Sequence, residues 1–144
     1  MTPRRRPAAA AVTLALLLLS TACTYYPTVR DVGGVRLRPV QGRVVRGAAG
    51  TDAAVYVDIE SSGKYGDVLT GAQAPFARQA ALVGETGGPV ASIEIPPATV
   101  FRLREDGPRV VLSGLTRALT PGEVVIVTLQ FQKSGPMGVV SVVQ

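Results

Sequence analysis

Hydrophobic and polar positions along this chain fall into two regimes. Ala8 to Leu19 is apolar apart from Thr13, whereas from Val35 onward short Val-rich runs alternate with Gly and Pro clusters. No later stretch keeps a 3.6-residue apolar period over the length of a helix, so strands are predicted throughout. The candidates are Val35 to Val45, Ala54 to Glu60, Val68 to Ala72, Arg78 to Val83, Ala91 to Ile95, Val100 to Arg104, Arg109 to Leu112, Val124 to Phe131 and Gly138 to Val143. So many short strands in about 110 residues predict an all-β sandwich. Alternation assigns faces: Val55, Val57 and Ile59 lie opposite Tyr56, Asp58 and Glu60, and Val125, Val127, Leu129 and Phe131 lie opposite Thr128, Gln130 and Gln132. The apolar faces are the expected core. Pro121-Gly122 is a type II turn signal, since Pro presets φ and Gly supplies φ > 0.

The first regime reads as an export signal. Arg4, Arg5 and Arg6 precede the apolar run without any acid, the pattern of a signal peptide's charged and hydrophobic regions. The run of 12 residues rises only about 18 Å as a helix, short of a hydrocarbon core of about 30 Å. It ends Leu19-Ser20-Thr21-Ala22-Cys23, which resembles a bacterial lipobox, although Ser20 departs from the usual aliphatic residue. That resemblance implies lipidation of Cys23 as the mature N-terminus; the alternative is ordinary cleavage near Ala22 beside an incidental Cys. Stable anchoring needs more than one acyl chain, which a diacylated and N-acylated cysteine provides. Arg5-Arg6 lacks the context that would mark a twin-arginine route. The expected organisation is a signal peptide over 1–22, a lipidated Cys and tether over 23–34, and one domain over 35–144, held at the extracytoplasmic face of the membrane.

Composition narrows the chemistry. The chain of 144 residues has no His and one Cys. Imidazole catalysis and the common zinc sites are excluded, and no internal disulfide can form. An acylated Cys23 is also neither nucleophile nor metal ligand. Formal charge is +5, but the signal contributes three Arg, leaving 12 basic and 10 acidic residues. Arg30, Arg36, Arg38, Arg43 and Arg46 face only Asp31 within residues 30–46. This basic stretch could attract anionic lipid at about 1 kcal/mol per cation. Its plainer reading is a solvated strand face, because Arg36 and Arg38 alternate with Val35 and Leu37. No aromatic–basic platform accompanies it, so no nucleic acid is expected as a partner.

From about Asp52 onward the order of segments resembles the PCu(A)C family of bacterial extracytoplasmic copper chaperones. The residues that carry the resemblance are Ala53-Ala54-Val55-Tyr56-Val57-Asp58-Ile59-Glu60, Asp67-Val68-Leu69-Thr70-Gly71-Ala72, Ile93-Glu94-Ile95-Pro96, Leu112 to Glu123, and Val127 to Gly135. It implies a cupredoxin-like, Greek-key β-sandwich akin to immunoglobulin domains. It also implies Cu(I) capture by His and Met, since a soft ion favours thioether and imidazole. Matched to the family pattern, Val83 stands where the first His belongs, and Arg109 and Val111 stand at the His-x-Met pair. The Met-bearing segment is shortened to Gly87-Gly88-Pro89-Val90-Ala91-Ser92. Met137 is the one methionine after the signal, a weak metal candidate more simply read as a turn residue. Arg-rich composition, the signal and short loops also resemble ligand-poor envelope lipoproteins of actinobacteria.

Catalysis finds little support. Asp58 and Glu60 lie i, i+2 on a strand, about 7 Å apart, on the face assigned to solvent. With Asp67 they supply too few convergent oxygens for calcium. Ser61, Ser62 and Lys64, and likewise Lys133 and Ser134, are loop residues whose amines stay solvated. No phosphate-binding or dinucleotide fingerprint is present. The expectation is a non-enzymatic, membrane-anchored module with no resident cofactor that binds an envelope protein or ligand, with Val83, Arg109 and Val111 as its candidate partner surface. The alternatives are copper binding or delivery, and a structural envelope lipoprotein.

Overall fold

Alternating burial along Val-rich segments builds an architecture in which every regular element among the described residues is a strand. The computed structural model describes residues 30–144, so the predicted signal and Cys23 lie outside the described residues. The elements are β1 (Arg30–Val32), β2 (Val35–Arg46), β3 (Asp52–Ser61), β4 (Asp67–Gln73), β5 (Ala77–Val83), β6 (Pro89–Val90), β7 (Ile93–Ile95), β8 (Thr99–Leu103), β9 (Arg109–Leu115), β10 (Val124–Phe131) and β11 (Gly135–Val143). Among the described residues no helix is long and apolar enough to cross a membrane.

The strands form one curled sheet in the order β6-β5-β9-β3-β2-β11-β10-β4-β7, with β1 added to β2 and β8 to β3. Its inward positions make a single core that joins Val55, Val57 and Ile59 of β3 to Val125, Val127, Leu129 and Phe131 of β10, with Val110 and Leu112 of β9. Both alternating faces expected from the sequence are therefore the buried ones.

β2 ties the two halves together. It pairs with β3 from Leu37 to Val40 and again from Arg43 to Arg46, with the register shifting between, and on its other edge Gly42 to Val44 run parallel to Ser141 to Val143 of β11. The shift sits at Gln41, whose φ is 53°. Gly42 follows against β11, where a Cβ would stand 2.7 Å from the Val140 carbonyl oxygen. Only glycine lets these backbones approach so closely.

Two boundaries differ from expectation. The tether predicted to reach residue 34 instead contains β1, because Gly33 and Gly34 (φ 59° and 85°) make a two-residue turn that folds Arg30–Val32 back onto β2. The strand predicted over Ala91 to Ile95 is confined to Ile93–Ile95, which pairs with β4, and an unpredicted short strand, Pro89–Val90, pairs with β5 just before it, so the chain crosses between the two halves of the sheet. At Pro121-Gly122 the expected turn closes with Glu123 N–H donating to the Thr120 carbonyl at 3.0 Å, and Gly122 has φ 85°.

Candidate functional site

β5 and β9 pair antiparallel, placing Val83 opposite Arg109 and Ala81 opposite Val111. Leu82, Val110 and Leu112 point into the core, so Val83, Arg109 and Val111 occupy the outer face of the same two strands. The three positions singled out in the sequence are thus neighbours. Val83 is nonetheless nearly covered, and Arg109 and Val111 are half-buried.

Arg109 is committed locally. Its guanidinium donates to the carbonyls of Glu105 at 3.3 Å and Gly107 at 3.2 Å, closing the loop between β8 and β9. Val111 lines an outward groove of about 310 Å³ with Val45, Ala54, Tyr56 and Glu105. The Arg43 guanidinium lies 5.8 Å from the centre of the Tyr56 ring, within cation–π range. Burial raises the Tyr56 pKa, and the Glu105 carboxylate raises it further, while Arg109 and Arg43 pull the other way. A neutral phenol therefore sits between two cations and one carboxylate. The arrangement offers an apolar floor with polar walls, which suits binding.

Neither the groove's lining nor Val83 and Arg109 beside it supply a soft-metal donor. Among the described residues no group of three His, Cys, Asp or Glu side chains converges, and the chain has no His. Met137 lies on β11 opposite Leu129, half-buried against the core. Strands β2 and β3 separate β11 from β9, so Met137 does not join the three outward positions. The shortened segment forms a hairpin closed by Gly84 N–H donating to the Gly88 carbonyl at 2.9 Å.

The remaining candidates are structural. Asp58 and Glu60 pair with Arg102 and Arg38 on the solvent side. Asp67 is remote from them in role: only 3% exposed, its carboxylate accepts Val68 N–H, Lys133 N–H, Ser134 N–H and Ser134 Oγ–H at 2.7–2.9 Å. Lys133 Nζ donates to the Gly66 carbonyl, and Lys64 rests over Tyr65. Neither lysine faces a serine hydroxyl as a catalytic pair needs. In the basic stretch, Arg36 pairs with Asp31, Arg38 with Glu60, and Arg46 donates to the Leu119 carbonyl. Tyr56, Glu105 and Val45 were not foreseen as site residues. The available signal was a bulky aromatic on a face that alternation gives to solvent.

Comparisons with known proteins place this geometry. The structure is similar to the apo PCuAC domain from PmoF1 (TM-score 0.69, 22% identity, covering 81% of this chain and 98% of that one). It is also similar to the copper-bound PCuAC domain from PmoF2 (TM-score 0.68, 20% identity, 81% and 97%). A third likeness is the Cu(I) form of DR1885 from Deinococcus radiodurans (TM-score 0.62, 23% identity, 97% and 94%). No curated protein matches the sequence. The fold is that of PCuAC domains, cupredoxin-like and all-β, as the sequence resemblance implied. The family profile described as "Putative lipoprotein LpqE-like" matches residues 28–143, and the chain belongs to that family.

Proposed function

We propose that this protein is an envelope lipoprotein, anchored through an acylated Cys23, whose PCuAC-type domain binds a protein partner or ligand and performs no catalysis. One observation carries the reading. At the positions that the family resemblance gives to copper ligands, β5 and β9 present Val83, Arg109 and Val111, and the Arg109 cation is held in place by two loop carbonyls. A fixed guanidinium repels a metal cation. The adjoining groove, floored by Val111, Ala54 and Tyr56, has the apolar centre and charged rim of a binding surface. The family description as putative lipoproteins supports the anchor.

A Cu(I) competition titration against a chromophoric chelator tests this directly. The expected outcome is that the chelator keeps its metal, with Met137→Ala indistinguishable from the unaltered protein. Stoichiometric, tight Cu(I) uptake would favour the second reading, copper binding or delivery through ligands outside the family pattern, which the copper-bound structural neighbours motivate. Partner binding is read separately: Arg109→Ala and Val111→Glu should both weaken co-purification of the envelope partner, and retention by both variants would count against this face.

A further inference from the structure

No outward-facing position of β10 or β11 carries a charged side chain. Four of these positions are large and apolar: Val124, Ile126, Val140 and Val142 are 62%, 56%, 63% and 43% exposed. The register pairs Val124 with Val142 and Ile126 with Val140, so they form one contiguous block. Soluble sheets ordinarily break such a face with lysine or glutamate. The next strand places Arg43 beside Val142. Unlike Arg36 and Arg38, Arg43 has no carboxylate within ion-pair distance among the described residues; it stacks on Tyr56 instead.

We propose that this β10–β11 face rests on an anionic lipid bilayer, with the four β-branched side chains at the headgroup–acyl boundary and Arg43 directed to headgroup phosphates. Three features select this occupant. The apolar block bordered by an exposed arginine without a carboxylate partner has the composition of a membrane-interface surface. The area is small: roughly 300 Å² per copy gives roughly 600 Å² in a two-fold pair, about half of what a stable dimer needs. The chain also reaches. Cys23 precedes Arg30 by seven residues, a span of at most about 25 Å, and Arg30 pairs with Leu37, six residues before Arg43 along β2, or about 20 Å. That last feature rests on the proposed acylation of Cys23, which would make docking intramolecular and let a weak surface suffice.

The test uses the full chain purified from membranes and reconstituted in phosphatidylglycerol–phosphatidylcholine vesicles. Ile126→Cys, and Thr86→Cys in the β5–β6 turn as control, each carry an environment-sensitive fluorophore read against spin-labelled lipids. About two-fold quenching at the Ile126→Cys site, little at the Thr86→Cys site, and loss of the difference on adding Val140→Glu is the expected result. Equal, weak quenching at both sites in protein whose N-terminal peptide mass shows acylated Cys23 overturns the docking. Disulfide cross-linking between two Ile126→Cys copies without lipid quenching overturns it in favour of self-association. Selective quenching in protein with unacylated Cys23 supports the docking while removing the anchor; no quenching with unacylated Cys23 removes both.

Discussion

Asp67 is the position where a single atom-level change should cost the fold most for its size. Its carboxylate bridges the start of β4 to the β10–β11 turn, with Oδ1 accepting Val68 N–H (2.8 Å) and Lys133 N–H (2.9 Å), and Oδ2 accepting Ser134 N–H (2.8 Å) and Ser134 Oγ–H (2.7 Å). Asp67→Ala removes the acceptor of three backbone donors, Val68 N–H and two of a tight turn, together with that of a buried hydroxyl. Bonds to a charged acceptor contribute about 1.5–3 kcal/mol, and an unsatisfied buried donor costs about 1–3 kcal/mol. Because the turn can relax and admit water, the expected destabilisation is about 3–5 kcal/mol rather than the full sum. Asp67→Asn keeps an oxygen for Val68 and Lys133 but turns an amide donor toward Ser134 N–H. It should cost about 2 kcal/mol.

The pH dependence gives an independent handle. Burial alone would raise the Asp67 pKa, but the hydrogen bonds from Ser134, Lys133 and Val68 outweigh it, and the net direction is down. A carboxyl whose folded pKa lies below its unfolded value, near 3.9, contributes stability above that value and loses it as pH falls through the folded pKa. Asp31 and Glu123 are also lowered, so the informative quantity is the difference between unaltered protein and Asp67→Asn. Urea unfolding followed by far-UV circular dichroism, from pH 7 down to pH 2.5, should show the two midpoints converging in the acid range. A loss below about 1 kcal/mol for Asp67→Ala at pH 7, or a pH-independent difference, would refute the account of this carboxylate.

Other consequences are simpler. Gly42→Ala places a Cβ 2.7 Å from the Val140 carbonyl and 2.9 Å from Val139 Cγ1, so it should lower stability by about 2 kcal/mol or more, read as a fall in melting temperature. Leu129→Ala opens a cavity at a fully buried β10 position and should cost about 3–5 kcal/mol in urea unfolding. The triple change Val83→His, Arg109→His, Val111→Met puts three soft-metal donors at the adjacent outward positions that the family resemblance gives to copper ligands; it should compete for Cu(I) in the chelator titration where the unaltered protein is expected not to. Arg38→Ala removes a solvent-exposed ion pair with Glu60 and should change stability by less than about 1 kcal/mol.

The sequence carried the strands because period-2 burial is strong in segments such as Val124–Phe131, whose predicted and observed limits coincide. Where it missed, a specific ambiguity was at work. β1 hides behind Gly33-Gly34, which reads equally as a loop or as a hairpin turn. The two residues of Pro89–Val90 are too short to show a strand period, and only their pairing with β5, against the pairing of Ile93–Ile95 with β4, separates them from the strand that follows. The first half of β10 is apolar on both faces, so alternation picks out Val125, Val127 and Leu129 as core while leaving Val124 and Ile126 without an assignment. The Asp67 clamp is invisible in one dimension, since Ser134 lies 67 residues away. The adjacency of Val83 and Arg109 was implied by the family resemblance alone; no local signal links residues so far apart.

The proposed loss of copper chemistry follows from the two faces of a strand. On β5 and β9 the residues that set register and bury area are Leu82, Val110 and Leu112, while Arg109 and Val111 stand on the opposite side of the strand. Because strand side chains alternate, substitutions at these outward positions leave the core register unaltered. Val83 is the exception, being largely covered on the outer side as well, and a histidine there would need its neighbours to yield. A PCuAC scaffold can therefore persist through exchange of its outward residues, and persistence of the fold carries no warrant for persistence of the metal. Both the groove lined by Val111, Ala54 and Tyr56 and the β10–β11 apolar block lie on such outward positions. Selection acting on either one could keep the sandwich intact while its copper ligands changed.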